Sequence, residues 1–339
     1  MRPFLYQRAA GLADAAAVAG NGGGRLPPTA APAQFLAGGT TLLDLMKLDV
    51  MRPEVLVDVN RLDPRGLAIE RRADHLHLGG FVTMAEAARH PDIVRDYPVV
   101  VQALELAASP QLRNMATLAG NLLQRTRCNY FRDPGWGACN KRSPGSGCAA
   151  LDGVNRKHAV LGVSQECIAA YPGDFAQALV ALDAAAEIYG PGGSRVVRVE
   201  DLHRLPGATP QIETVLEPGE LITGFRLPVA AWTRRSLYLK IRDRQSYEFA
   251  LASAAVALDL DGDRVNLARV ALGGVATKPW RAHQAEAALA GQKLDEATAR
   301  RAAEAAFAEA KTHGGNDYKP ELGRRTLTRA LLQAAKLSV

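Results

Sequence analysis

The 339-residue chain contains no run of about 18 apolar residues, so no membrane-spanning helix of ordinary length is expected. Nor does Met1–Gly20 show a continuous apolar core ending in a cleavage site, and it does not read as a secretory signal. The expectation is cytoplasmic residence, or export of a folded complex led by a signal-bearing partner. The 41 Lys and Arg against 35 Asp and Glu leave a formal charge of +6, but the cations are scattered, and no dense basic run marks a nucleic-acid footprint. Neither G-x-G-x-x-G nor G-x-x-x-x-G-K-[ST] occurs, so neither a Rossmann nor a P-loop phosphate site is indicated. Internal repeats are absent. Aromatic residues reach only 6%, so small residues must fill much of the core, in Ala-rich helical stretches and around 31 glycines.

What is present suits an ordered globular protein of two or three domains. Hydrophobic residues make up 47% and charged residues 22%, enough apolar mass for a core and too little charge for global disorder. The first half alternates strand-like and helix-like segments. Strands are predicted at 34–37, 55–59 and 75–79, with a helix from Thr40-Thr41 through 42–48. Thr83 followed by Glu86 predicts a capping box opening a helix, and a second helix is predicted at 97–108, stopped near Ser109-Pro110. Residues 174–190 read as helix then strand, and 218–228 as turn then strand. Strands at 236–243, 250–260 and 264–272, the last two joined by Asp261-Gly262-Asp263, predict hairpins; helices at 280–290, 295–312 and 322–336 close the chain. A domain boundary is expected near 220–230. Gly20–Gly24 with Pro27-Pro28 reads as a flexible loop.

Residues 124–172 differ from everything around them. They are rich in Gly, Pro, Arg and Cys and show little periodicity, and a long irregular segment in a compact domain is usually functional. All four cysteines of the chain, Cys128, Cys139, Cys148 and Cys167, fall here, separated by 10, 8 and 18 residues. Zinc sites usually include a C-x₂₋₄-C pair, which is missing. Two disulfides in an oxidising compartment, an iron–sulfur cluster wrapped by a loop, and a zinc site all stay open on the residues alone. Arg125, Arg127, Arg132, Lys141 and Arg142 would offset the negative charge of four thiolates, or simply be solvated.

Two glycine segments could cradle a phosphate. Leu36-Ala37-Gly38-Gly39-Thr40-Thr41-Leu42-Leu43 reads as strand, glycine turn and helix start, where backbone N–H groups point outward. Thr117-Leu118-Ala119-Gly120-Asn121 allows close approach of a ring or phosphate at Gly120 and offers a donor and an acceptor at Asn121. Either could equally be an ordinary turn.

Taken together, FLAGGTTLLDLMK (35–47) and SPQLRNMATLAGNL (109–122) resemble the two FAD-contacting motifs of the flavin subunits of molybdenum hydroxylases, the family of xanthine dehydrogenase, carbon monoxide dehydrogenase and aldehyde oxidases. The likeness continues through YPGDFAQALVALDA (171–184) and GELITGFRLP…YLKIRDRQSYEFALASAAVAL (219–258) to the Gly273-Gly274-Val275-Ala276 turn, and so spans nearly the whole chain in order. The four-cysteine insertion narrows it to the flavin subunits of bacterial periplasmic aldehyde oxidases, which carry a 4Fe–4S cluster; the flavin subunit of 4-hydroxybenzoyl-CoA reductases, also with a cluster-bearing insertion, is the nearest rival.

The resemblance implies an α+β fold: a two-subdomain, PCMH-type FAD-binding region at 1–223 with the Cys-rich insertion at 124–172, then an antiparallel-sheet and helical domain of the CO dehydrogenase flavoprotein type at 224–339. It implies that Ala37, Gly38, Gly39, Thr40, Thr41, Leu42 and Leu43 wrap the FAD pyrophosphate, that Ala107 lies near the adenine or ribitol end, and that Thr117, Leu118, Ala119, Gly120 and Asn121 contact the flavin side and phosphates. Asp174 would meet the ribose, while Ile222 and Lys240 would contact the cofactor. Read from the residues alone, these last three are a helix N-cap, a strand residue and a solvated side chain. The resemblance also implies that Cys128, Cys139, Cys148 and Cys167 ligate a 4Fe–4S cluster. No nucleophile or acid–base set is evident. The implied role is electron transfer from a molybdenum-cofactor large subunit, through the 2Fe–2S clusters of a small subunit, to this chain's FAD and on to an external acceptor, in a heterotrimer or its dimer. Periplasmic residence by co-export follows from the same likeness. Outside this class, a zinc- or disulfide-stapled binding protein is the alternative.

Overall fold

The computed structural model describes residues 1–20, 27–60 and 62–339. The glycine stretch read as a loop lies outside them, apart from Gly20. Three sheets organise the described residues. The first is parallel, in the order β1 (Leu5–Arg8), β3 (Val55–Asp58), β2 (Ala33–Leu36). Central strands of parallel sheets are covered on both faces, and Leu56 and Val57 are both fully buried. Successive side chains point to opposite faces. Val57 packs with Ala15 of helix Leu12–Gly20 and with Phe81 and Leu221, whereas Leu56 packs with Leu45 and Met46 of helix Leu42–Lys47 and with Phe131 and Cys139 of the insertion.

The second sheet is antiparallel, in the order β4 (Ile69–Arg71), β5 (His75–Gly79), β8 (Leu221–Pro228), β6 (Ala185–Gly190), β7 (Gly193–Arg198). Helices Met84–Arg89, Pro98–Glu105 and Phe175–Ala181 share its hydrophobic core. The Thr83 capping box forms as read: its hydroxyl accepts from Glu86 N, and the Glu86 carboxylate accepts from Thr83 N at 2.9 Å.

The third sheet is antiparallel, β12 (Trp280–Arg281), β11 (Arg264–Gly273), β10 (Ala252–Asp261), β9 (Ser236–Ile241). It is clasped from both sides, and the Ala-rich sequence of β10 shows why. Ala254, Val256 and Leu258 face helices His283–Leu289, Glu296–Ala306 and Lys319–Ala335, while Ala255 faces the core of the second sheet. Small side chains let helices approach both faces. The last helix begins earlier than its apolar period suggested, because Pro320 is well placed in a first turn. The strands β1, β4 and β7, the helix Leu12–Gly20 and the two-residue β12 were not read from the sequence.

The 124–172 segment holds a single helical turn, Asn129–Arg132, and is otherwise irregular. It spans the molecule. At one end Arg127 and Arg132 pair with Asp44 of helix Leu42–Lys47, at 3.2 and 2.9 Å. At the other, Val160 N donates to Val275 O at 2.8 Å, Asn155 Nδ2 to His313 O at 2.7 Å, and Asn316 Nδ2 to Ala159 O at 3.0 Å. Lys319, fully buried on the last helix, donates to Lys157 O at 3.1 Å and Gly274 O at 2.6 Å.

Candidate functional site

Where the first and second sheets meet the insertion, a cavity of about 370 Å³ opens. The turn after β2 forms one wall. Gly39 has φ +73°, a conformation that favours glycine, and a Cβ on Gly38 would overlap the Met115 carbonyl. Glycine is therefore what lets the two sequence motifs touch. Among the described residues, the N–H groups of Gly39, Thr40 and Thr41 have no acceptor, so the turn presents open amides of the kind that hold phosphate. The second motif differs. Leu118 N and Ala119 N donate to Val82 O and Gly80 O, both at 2.9 Å, and Thr117 caps its helix by accepting from Gly120 N at 3.2 Å. Its amides are spent on the segment just after β5, and it offers the cavity a glycine surface at Gly120.

Of the residues singled out in the sequence, Ala37, Gly38, Gly39, Thr40, Thr41, Leu42, Thr117, Ala119, Gly120 and Ile222 line this cavity. Leu43, Leu118 and Ala107 pack into hydrophobic clusters instead. Asn121 Nδ2 donates to Met84 Sδ at 3.3 Å, and its Oδ1 is buried without a partner among the described residues.

Asp174 and Lys240 are brought together rather than onto the cavity. Lys240 Nζ donates to Asp174 Oδ2 at 2.7 Å, with side chains only 1% and 3% exposed, and Tyr238 Oη donates to Asp174 Oδ1 at 2.5 Å. Asp174 does stand at the N-cap of helix Phe175–Ala181, but its side chain makes no capping bond. Burial pushes its carboxyl above the ordinary value, and the Lys240 ammonium opposes that. Lys240 Nζ and Arg242 Nη1 both donate to Leu106 O, at 3.0 and 3.1 Å, which fixes the backbone beside Ala107.

The remaining walls were not legible as a site. His203, Arg204 and Glu213 come from the irregular connection before β8, and Arg125, Thr126, Lys141, Cys167 and Ala169 from the insertion. Lys141 Nζ donates to Glu213 Oε1 at 2.8 Å and to Pro210 O at 2.9 Å, and the Arg125 guanidinium pairs with the same carboxylate. These two cations hold the Glu213 carboxyl below its usual range despite burial. Burial takes His203 down to about 4, so it is neutral at physiological pH, with Nε2 3.2 Å from Leu122 O. The insertion's cations are thus paired with Asp44 and Glu213 or, for Arg142, with the Tyr130 and Phe131 carbonyls, and are not simply solvated.

All four cysteines line a second, much smaller cavity with Tyr130, Phe131 and Ala150 in its wall. None is in a disulfide. An isolated bridge pairs Cys139 with Cys148, His158 Nε2 lies 3.2 Å from Cys128 Sγ, and Ala169 N donates to Cys167 Sγ at 3.5 Å. Burial pushes the Cys128 thiol up to about 12. Among the described residues, no group of three His, Cys, Asp or Glu is spaced to hold a single metal ion.

Residues 2–230 match the family described as the FAD binding domain in molybdopterin dehydrogenase, and residues 237–334 match the CO dehydrogenase flavoprotein C-terminal domain. The chain belongs to the molybdenum hydroxylase family, as its FAD-binding subunit. This flavin subunit is 46% identical to the aldehyde oxidoreductase FAD-binding subunit PaoB of Escherichia coli K12, over 98% of this chain and 99% of that one. It is 28% identical to the carbon monoxide dehydrogenase medium chain of Afipia carboxidovorans, over 98% and 96%. In structure it superposes on reconstituted CO dehydrogenase from Oligotropha carboxidovorans with a TM-score of 0.76 at 26% identity, covering 100% of both chains. As the medium subunit of oxidoreductase complexes with large and small partners, the flavin subunit needs no nucleophile of its own. Its contribution is to hold cofactor and shape the surroundings. The open amides of the Gly-Gly turn suit a pyrophosphate, so the cavity fits FAD.

Proposed function

We propose that this flavin subunit serves a molybdenum-cofactor aldehyde oxidoreductase, carries a 4Fe–4S cluster on Cys128, Cys139, Cys148 and Cys167 beside its FAD, and passes electrons to an external acceptor. The observation that carries the cluster is the convergence of the four cysteines on one cavity. They are scattered over 40 residues of irregular chain, and only Cys139 and Cys148 are brought together by a local backbone bridge. A cubane takes four thiolates at its corners, a number that the four cysteines sharing one cavity supply. Tyr130, Phe131 and Ala150 stand beside the sulfurs, and the Ala169 amide donates to one of them. The aldehyde substrate class rests on the identity to PaoB along the full chain.

When bound, FAD supplies two-electron and one-electron chemistry in one group. The chain's part is to seat its pyrophosphate on Gly39, Thr40 and Thr41, to lay Gly120 and Ile222 against it, and to fix the Leu106–Ala107 backbone through Asp174 and Lys240. We place the complex in the periplasm, exported folded with a partner that bears the signal.

The test is a visible spectrum of the purified complex, with iron and acid-labile sulfide assayed on wild type and on Cys→Ser variants. Flavin bands over a broad iron–sulfur background are expected, and Cys128→Ser or Cys167→Ser should remove about four irons and four sulfides per flavin subunit. Unchanged iron in these variants would remove the cluster from this chain, and the loss of flavin bands from the wild type would remove the rest.

A further inference from the structure

The two cavities share a wall. Three residues, Lys141, Cys167 and Ala169, line both the flavin cavity and the cysteine cavity. Lys141 alone among them is charged. Its side chain is only 10% exposed, and its ammonium is fixed rather than mobile, gripped by Glu213 Oε1 at 2.8 Å and Pro210 O at 2.9 Å. Arg125 pairs with the same Glu213, and its guanidinium lies 5.0 Å from the Phe131 ring, which lines the cysteine cavity. Two cations and one carboxylate are therefore held between the two sites. The cysteine cavity is also lined by Glu166, whose carboxylate accepts from Asn140 Nδ2 at 2.6 Å.

We propose that Lys141 is a positioning residue for electrons: its fixed charge raises the reduction potentials of both redox groups, and Glu213 holds it there. The inference rests on the proposed cluster for one of its two readouts and on FAD for the other. Adding an electron makes either group more negative. A cation one side chain away, in a wall that excludes water, favours that state much more than it would in solvent. Because the Lys141 side chain lines both cavities, its charge shifts both groups in one direction. Removing it lowers both potentials. Neutralising Glu213 leaves Lys141 and Arg125 charged and raises them.

Potentiometric titration of the purified complex tests this, with the cluster followed by electron paramagnetic resonance and the flavin by absorption. The 2Fe–2S signals of the small subunit serve as internal reference. Lys141→Met is expected to change the reduced-to-oxidised ratio of each group on the order of tenfold towards oxidised, which is 59 mV for a one-electron step. Glu213→Gln should move both in the opposite sense, and Lys141→Arg should restore wild-type values. A merely structural wall would give shifts of the same sign in both charge-removing variants, or none. If Lys141→Met keeps full flavin and iron while both midpoints stay within about threefold, the proposal is overturned. If Lys141→Met does not fold, the sign of the Glu213→Gln shift decides instead. Should the wild type contain no iron beyond the small subunit's, the cluster reading has failed separately, and the flavin midpoint alone decides the role of Lys141.

Discussion

Replacing Lys240 by Met isolates what a buried ion pair does in this fold. The ammonium leaves two acceptors behind, Asp174 Oδ2 and Leu106 O. Leu106 O keeps the Arg242 bond at 3.1 Å, so the damage concentrates on Asp174, which retains only Tyr238 Oη at 2.5 Å. Removing one partner of a buried pair costs about 3–5 kcal/mol. Because Asp174 keeps one strong donor and can escape its charge by taking up a proton, we expect the lower end, about 3 kcal/mol at neutral pH. The sign with pH follows. Burial already raises this carboxyl above its ordinary 3.8, and without Lys240 only the Tyr238 hydrogen bond and the Arg242 charge oppose the rise. A carboxyl raised in the folded state binds its proton more tightly there than in the unfolded chain. Stability is therefore fullest at low pH and is lost as pH climbs through the raised value. Urea denaturation of Lys240→Met and wild type at about pH 5 and about pH 8 should show a deficit that grows with pH. Adding Asp174→Asn removes the stranded charge and should recover at least half of it, a coupling read from the double-mutant cycle. A deficit below about 1 kcal/mol at neutral pH, or one that is flat with pH, would refute the view of Asp174 as a carboxylate sustained by Lys240.

Three further outcomes are expected. Gly38→Ala sets a methyl against the Met115 carbonyl and parts the two motifs; FAD retention, read as the flavin-to-protein absorbance ratio after dialysis, should fall at least about tenfold in affinity. His203 is held down to about 4 against an ordinary 6.5, so its contribution is complete above 6.5 and is lost as pH falls towards 4, on the order of 3 kcal/mol; His203→Gln should flatten that part of the acid-denaturation profile. Thr83→Ala breaks a reciprocal cap and should cost about 0.5–2 kcal/mol in urea, with the visible spectrum unchanged.

Local rules fixed those parts of the fold whose causes are local. The Thr83–Glu86 box, the hairpin around Gly262 and the glycine turn after β2 each carry their signal within a few residues, and each forms. Asp174 shows where such reasoning stops. After Pro172-Gly173 it reads as a cap, but its partners Tyr238 and Lys240 lie 64 and 66 residues further on, and the distant pair outcompetes the local bond. The cations of the insertion were legible as charge and not as structure, because Asp44 and Glu213 approach them from other segments. Strand β1 escaped notice since its residues are mostly exposed and follow no alternation, and β7 since none of its positions is buried. The wall of the flavin cavity between His203 and Leu221 has neither period nor motif, and only the folded chain brings it to the site.

The strut-like insertion also has a consequence for biosynthesis. Its four cysteines leave the ribosome early, yet Val275, His313 and Asn316, which hold the segment in place, are made much later, and Lys319 follows Cys167 by 152 residues (319 − 167). At elongation rates of about 5–20 residues per second that interval is roughly 8–30 s. During it the thiols sit on an undocked loop, open to iron and to oxidants alike. Docking of the segment thus waits for residues made long after its cysteines, and the proposed cluster would have its window of delivery before helix Lys319–Ala335 docks.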